Sequence, residues 1–209
     1  MKIPAAVRAV LEQARARGFL GPGPIERHFA HAEGFAAAAE DEWGRPPASF
    51  ADLGTGGGVP GLVLADRWPG SAAVFVEVGR RRAEFLREAA AALGLETRVR
   101  IREERAEAVS RDPALREHFE LVTARSFATP AVTAEIAAGL VAVGGVLVVS
   151  EPPETDDARW PEEPLGLLGF GPARVLELGP GHYARLPKVA ATASRYPRAV
   201  GRPAKRPLW

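Results

Sequence analysis

One decapeptide constrains this chain more than any other stretch: Asp52-Leu53-Gly54-Thr55-Gly56-Gly57-Gly58-Val59-Pro60-Gly61. Five glycines in ten residues do not belong inside a helix or a strand, where glycine loses more conformational freedom than any other residue. The apolar run 49–53 in front of them reads as a strand, and 61–67 behind them as a helix. A glycine loop between strand and helix lets the backbone turn sharply and brings helix-terminal amides close to a polar ligand. The pattern then alternates. Residues 72–77 read as a buried strand, 80–93 as an amphipathic helix, 97–102 and 120–123 as strands, 130–140 as a helix and 145–150 as a strand of valine and leucine. Strands separated by helices imply a parallel sheet covered on both faces, an α/β doubly wound, Rossmann-like fold.

Composition bounds the rest. The chain has 209 residues, 46% hydrophobic and 25% charged, enough for one well-buried domain and little room for a second. Two amphipathic helices, 4–17 and 24–42, make an N-terminal helical segment over 1–48; residues 49–209 form the main domain. With no cysteine, disulfides, thiolate metal sites and thiol nucleophiles are excluded. The four histidines, His28, His31, His118 and His182, show no metal or triad spacing, so no metal and no catalytic base are expected. The opening residues lack the apolar core and small-residue cleavage site of a secretion signal. The longest apolar run, 136–149, falls short of the roughly 18–20 residues a membrane span requires. A cytoplasmic protein without a membrane partner is expected.

Charge is uneven although the net value is only +1. Residues 151–163 carry six acids against one arginine in a proline-rich stretch, which predicts an exposed loop. Residues 185–209 carry seven cations and no acid, interleaved with Tyr196 and Trp209. A basic tail with aromatic rings predicts RNA contact, cations meeting phosphates and a ring stacking on a base. The candidates are Arg195, Tyr196, Arg198, Arg202, Lys205 and Arg206.

For the loop itself two ligands compete, because Gly56 to Gly61 also fits G-x-G-x-x-G, the dinucleotide pattern. Pro60 inside that stretch disfavours the regular helix a dinucleotide loop needs. Asp52 would repel a pyrophosphate and suits a cationic, methionine-type ligand. S-adenosylmethionine is therefore favoured, with a nucleotide cofactor as the alternative. Glu77, about 25 residues on, is placed to accept hydrogen bonds from ribose hydroxyls.

The same residues carry a resemblance. The loop is similar to the D-x-G-[ST]-G-x-G-x-P-G loop of the RsmG (GidB) family of 16S ribosomal RNA guanine methyltransferases. Glu77-Val78-Gly79-Arg80-Arg81-Arg82-Ala83-Glu84-Phe85-Leu86, Arg105-Ala106-Glu107, Thr123-Ala124-Arg125-Ser126-Phe127-Ala128 and Arg195-Tyr196-Pro197-Arg198 with 201–208 resemble, in order, the family's later motifs. The resemblance implies a class I methyltransferase fold binding S-adenosylmethionine. Gly54 and Val59 would line the methionine and ribose region, with Gly56 and Gly58 also binding the cofactor, Glu77 would hold the ribose, Ala106 and Glu107 would border the adenine, and Arg125 would stand beside the cofactor near the substrate entrance. It further implies methyl transfer to guanine N7 in the 530 loop of 16S ribosomal RNA, free or in the 30S subunit. That nitrogen carries a free lone pair, so positioning without a general base suffices.

The chain departs from the family pattern at two places. Ser150-Glu151 stands where the family has Lys-Gly, putting an acid where RNA would approach, and no N-L-T segment precedes the Arg27-His28 motif. A diverged methyltransferase acting on another RNA or a small molecule is one alternative. A non-catalytic, ribosome-associated module is the other.

Overall fold

The alternation becomes one seven-stranded sheet in a computed structural model describing residues 2–155 and 157–209, with nothing described for the Asp157 side chain. The strands are β1 Ser49–Leu53, β2 Ala72–Val76, β3 Val99–Arg102, β4 Phe119–Ala124, β5 Val141–Glu151, β6 Arg174–Leu178 and β7 Gly181–Pro187, in the spatial order β3-β2-β1-β4-β5-β7-β6. The first five run parallel; β7 enters antiparallel to both β5 and β6. The helices are α1 Ala5–Ala16, α2 Ile25–Trp43, α3 Gly61–Arg67, α4 Arg80–Ala92, α5 Ala106–Ser110, α6 Pro130–Ala138, α7 Glu162–Leu167 and α8 Arg202–Lys205.

Strand alternation divides the core into two layers. Ala51 and Leu53 of β1, with Val122, Ala124, Leu147 and Val149, face a cluster built with α5, α6 and α7. Phe50, Phe75, Leu121 and Val148 face α2, α3 and α4, where Phe50 meets the Trp68 ring edge-on at 5.6 Å. The N-terminal helices are part of this second layer. Val10 and Ala14 of α1 join it, and Val7 and Leu11 pack with Ile25 and Phe29 of α2 and Val63 of α3. No helix among the described residues is long and apolar enough to cross a membrane.

The β6–β7 hairpin and the short helices α5, α7 and α8 are absent from the sequence reading. β7 is the instructive case: Tyr183, Ala184, Arg185 and Leu186 are all buried, so it shows no alternation, and a buried cation interrupts its apolar run. Arg185 is tolerated there because its guanidinium reaches Asp41 at 2.7 Å and Glu42 at 3.3 Å on α2. Lys188, 1% exposed, is matched to Glu117 at 2.8 Å and to the carbonyls of Ala138 and Val141.

The predicted basic tail is corrected by the same logic. Tyr196 is buried in the α5–α6 cluster, so its ring is not free to stack on a base. Arg198 donates its Nε and Nη2 to the fully buried carboxylate of Glu135 on α6, which also accepts the Arg198 backbone N–H. Arg111 and Arg116 donate to the carbonyls of Pro197 and of Tyr196 and Thr192. The segment is bolted to the body. Only Arg195, Arg202, Lys205 and Arg206 keep their charge on the surface, without an acid partner among the described residues, and Arg195 lies over the Tyr196 ring at 5.1 Å.

The acidic loop is corrected in part. Glu151 is buried, its carboxylate accepting from Arg159 Nε at 2.7 Å, Thr155 Oγ1 at 3.0 Å and the Trp160 indole at 3.1 Å. Asp156, another acid of that stretch, lies outside the described residues.

Candidate active site

The strand order reverses between β1 and β4, and open α/β sheets take their ligands in the crevice beyond the carboxyl ends of such strands. Here β1 runs into the glycine loop and β4 into Arg125. The loop is shaped from below. Asp52, 1% exposed, accepts the Thr123 hydroxyl at 2.7 Å and the Gly61 N–H at 3.1 Å, where α3 begins. Burial pushes its carboxyl up to about 7 against the pull of those bonds. Asp52 thus braces the turn from inside, which corrects its reading as the countercharge of a cationic ligand. Gly54 and Gly56 adopt φ of +66° and +56°. A β-carbon on Gly54 would stand 2.8 Å from the Phe127 ring.

Two cavities open above the sheet. One, of about 380 Å³, is lined by Gly54, Gly56, Glu77, Arg105, Ala106 and Glu107 among others. The second, of about 510 Å³, is lined by Arg27, His28, His31, Arg125, Glu151 and Trp160 among others. Ser126, Phe127 and Ala128, just past β4, border both. Ser126 stands at φ +50°, a conformation non-glycine residues adopt rarely and often at functional sites.

Glu77, 4% exposed, ties the loop to α4. Its Oε2 accepts the Gly56 N–H at 3.0 Å, and its Oε1 accepts the Gly79 N–H at 2.7 Å and pairs with Arg82 at 3.1 Å. A carboxylate offers about four acceptor positions, so Oε2 keeps one for a hydroxyl in the cavity. Glu107 accepts the Gly201 N–H at 3.0 Å, and Ala204 of α8 closes the same cavity. The C-terminal segment is therefore a wall of the site.

The sequence-read residues divide accordingly. Gly54, Gly56, Glu77, Ala106 and Glu107 come together on the first cavity and Arg125 stands on the second. Gly58 and Val59 line neither. A β-carbon on Gly58 would collide with Leu62, and Val59 packs among Val7, Leu11, Ile25 and Val63, so both shape the loop from behind. His28 and His31 are the residues to which the sequence reading gave no part in the site, although His28 stands in the Arg27-His28 motif. They stand one helical turn apart on α2, a spacing that puts two side chains on one face, and both reach the second cavity. His28 Nδ1 lies 3.0 Å from Arg125 Nη2, and its Nε2 lies 3.1 Å from the Gly21 carbonyl. Burial, then Arg125, pushes His28 below its ordinary value; the same causes take His31 down to about 4.

The donor set suits S-adenosylmethionine: a glycine turn that Phe127 would contest with any β-carbon at Gly54, a carboxylate with a spare acceptor at ribose distance from the loop, and small or apolar residues Ala106, Val132 and Ile136 for a purine.

Comparison with known proteins agrees with this geometry. Residues 25–155 match the family model described as rRNA small subunit methyltransferase G. The chain is 38% identical over 173 residues to the ribosomal RNA small subunit methyltransferase G of Chloroflexus aggregans, covering 80% of this chain and 72% of that protein. Its counterpart in a Roseiflexus species is 36% identical over 192 residues, covering 89% and 80%. Among solved structures, a methyltransferase of Geobacter sulfurreducens superimposes with a TM-score of 0.64 at 15% identity, covering 91% of this chain and 91% of that one. An S-adenosylhomocysteine-bound O-methyltransferase of Bacillus cereus does so with a TM-score of 0.61 at 16% identity, covering 90% and 93%. At such identities these two structures establish the fold alone, the Rossmann-like fold of class I methyltransferases. The chain belongs to the GidB family, rRNA small subunit methyltransferase G, and is an S-adenosylmethionine-dependent methyltransferase.

Proposed function

We propose that the protein methylates N7 of a guanine in the 530 loop of 16S ribosomal RNA, the base entering the cavity lined by Arg27, His28, His31 and Arg125, and that it works in the cytoplasm on the RNA or the 30S subunit. The observation that carries this reading is the pair of cavities meeting at Ser126–Phe127–Ala128. When bound, S-adenosylmethionine supplies a methyl group made electrophilic by its sulfonium. Glu77 holds the ribose through its free acceptor position, and Ala106 and Glu107 border the adenine. Gly54 and Gly56 let the backbone approach the ligand without a β-carbon between. Arg125 takes the carboxylate of the cofactor's amino-acid end, since its guanidinium has His28 as its only hydrogen-bond partner among the described residues. Phe127, which borders both cavities, screens the junction from water.

No side chain has a proton to remove. Guanine N7 presents a lone pair at neutral pH, so holding it in line and excluding water supplies the acceleration. That agrees with a site whose histidines are both held below their ordinary values by burial and by Arg125.

Charge supports RNA over a small neutral substrate. Glu151 is matched by Arg159, so the acid that replaces the family's Lys-Gly presents no net repulsion. Arg27 and Arg105 at the two mouths, with Arg202, Lys205 and Arg206, are exposed and have no acid partner among the described residues. Such cations neutralise phosphates.

The test is transfer of labelled methyl to 30S subunits and to free 16S RNA from a strain lacking the native modification, with the labelled nucleotide mapped. Label on guanine in the 530 loop is expected. No label from a preparation that binds S-adenosylhomocysteine overturns the substrate assignment.

A further inference from the structure

Arg125 is a half-buried guanidinium on the second cavity, next in the chain to the Ser126–Phe127–Ala128 border that the two cavities share, and its burial opposes its own charge. A guanidinium has five N–H donors in a planar fork and no acceptor. Among the described residues only His28 Nδ1 meets it at hydrogen-bonding distance; Asp52 acts on it through its charge, while the Asp52 carboxylate takes its hydrogen bonds from Thr123 and Gly61. The imidazole that meets it is itself fixed. His28 is 4% exposed in the first turn of α2, and its second nitrogen faces the Gly21 carbonyl at 3.1 Å.

Those two contacts decide the tautomer. A carbonyl accepts only, so Nε2 carries the hydrogen and donates to Gly21. Arg125 donates only, so Nδ1 is the bare nitrogen and accepts. A protonated ring would set N–H against N–H at Nδ1, and burial together with Arg125, Arg27 and Arg15 holds the ring neutral. The chain Gly21 carbonyl, His28, Arg125 therefore runs from the α1–α2 linker to the end of β4.

We propose that His28 is a positioning residue: it fixes the Arg125 guanidinium so that its remaining N–H groups meet the carboxylate at the amino-acid end of the cofactor. The proposal rests on the assignment of Arg125 to that carboxylate. Gly21 and Pro22 of the α1–α2 linker line the same cavity as Arg125, and Gly21 ties that linker to the guanidinium through His28.

The test compares two ligands that share the adenosine and the thioether and differ at the amino-acid end. S-adenosylhomocysteine has the carboxylate; 5′-methylthioadenosine lacks it. Affinities for the full chain are measured by calorimetry. Arg125→Met is expected to weaken S-adenosylhomocysteine and leave 5′-methylthioadenosine unchanged. His28→Ala is expected to do the same, by about tenfold for the first ligand. His28→Asn, whose amide oxygen can occupy the Nδ1 position, keeps the wild-type discrimination. His28→Gln, which reaches the Nε2 position and can restore only the Gly21 bond, loses it.

If His28→Ala weakens both ligands equally, or neither, positioning is overturned. Where His28→Ala does not fold, the Asn and Gln variants carry the test, and equal discrimination by the two overturns it. If Arg125→Met weakens S-adenosylhomocysteine alone while the His28 variants behave as wild type, the cofactor assignment stands and positioning falls. If Arg125→Met changes neither affinity, the assignment of Arg125 fails and positioning falls with it.

Discussion

Replacing Arg198 by alanine should loosen the fold and leave RNA affinity at its usual salt dependence, the reverse of what a basic tail would do. Glu135 is fully buried on α6, and its carboxylate takes Arg198 Nε and the Arg198 backbone N–H, both at 2.8 Å, together with Nη2. The substitution removes both side-chain donors and leaves a buried carboxylate with one backbone N–H. Breaking a buried pair from one side costs about 3–5 kcal/mol. The Arg198 side chain is 25% exposed, so water replaces part of what is lost, and the expected cost is about 2–3 kcal/mol. For a chain of this length that is a fall in Tm of about 5–10 °C. The assay is urea unfolding of wild type, Arg198→Ala and the double variant Glu135→Leu with Arg198→Met, in which no buried charge is stranded and most of the stability should return. Titration of RNA at several salt concentrations supplies the contrast. Arg198→Ala keeps the wild-type slope, while joint replacement of Arg202, Lys205 and Arg206 by alanine lowers it by about 2, at roughly 0.7 for each phosphate contact on single-stranded RNA. Arg198→Ala with stability within about 0.5 kcal/mol of wild type and a reduced slope would refute the reasoning.

Asp52→Ala leaves the Gly61 N–H without its side-chain acceptor and the Thr123 hydroxyl with only the Ala51 carbonyl at 3.4 Å and should cost about 1–3 kcal/mol, the range for one buried group left unpaired; an unfolding free energy equal to wild type counts against the brace. Deleting residues 201–209 removes the Gly201 bond to Glu107 and Ala204 from the cavity wall, so S-adenosylhomocysteine affinity should fall about tenfold or more; unchanged affinity by calorimetry would show that the segment is no wall. Gly56→Asp puts a β-carbon on a backbone at φ +56° and a second carboxylate beside Glu77, and should abolish cofactor binding, which isothermal titration reads directly. Because the folded state holds His31 at about 4 against 6.5 unfolded, the unfolded chain binds the extra proton between those values. Stability should then fall as pH drops through that window, by on the order of 2–3 kcal/mol, and a His31→Phe variant with the same pH dependence as wild type would rule this out.

What the sequence disclosed and what it hid separate along one physical line. The glycine loop and Glu77 are legible because a local requirement fixes them: a turn at positive φ and a carboxylate at the end of a strand; Arg105-Ala106-Glu107 is legible only through its likeness to a family motif. Those requirements act within a few residues of chain, so they leave a pattern in the chain. The fate of a charge is settled elsewhere. Arg198 finds Glu135 at a distance of 63 residues, Lys188 finds Glu117 across 71 and Arg185 finds Asp41 across 144, and nothing in the run 185–209 distinguishes these cations from Arg202, Lys205 and Arg206, which face solvent. The same holds for Glu151, read as an acid facing RNA and found matched to Arg159 and the Trp160 indole. A buried cation and an exposed one are the same letter, and burial is tolerable only where the fold delivers an acceptor. Counting charges along this chain therefore overstates the cationic surface available to an RNA by the number that the core has matched, and under the proposed function the measurable remainder is the salt slope that the cations around the two cavity mouths would carry.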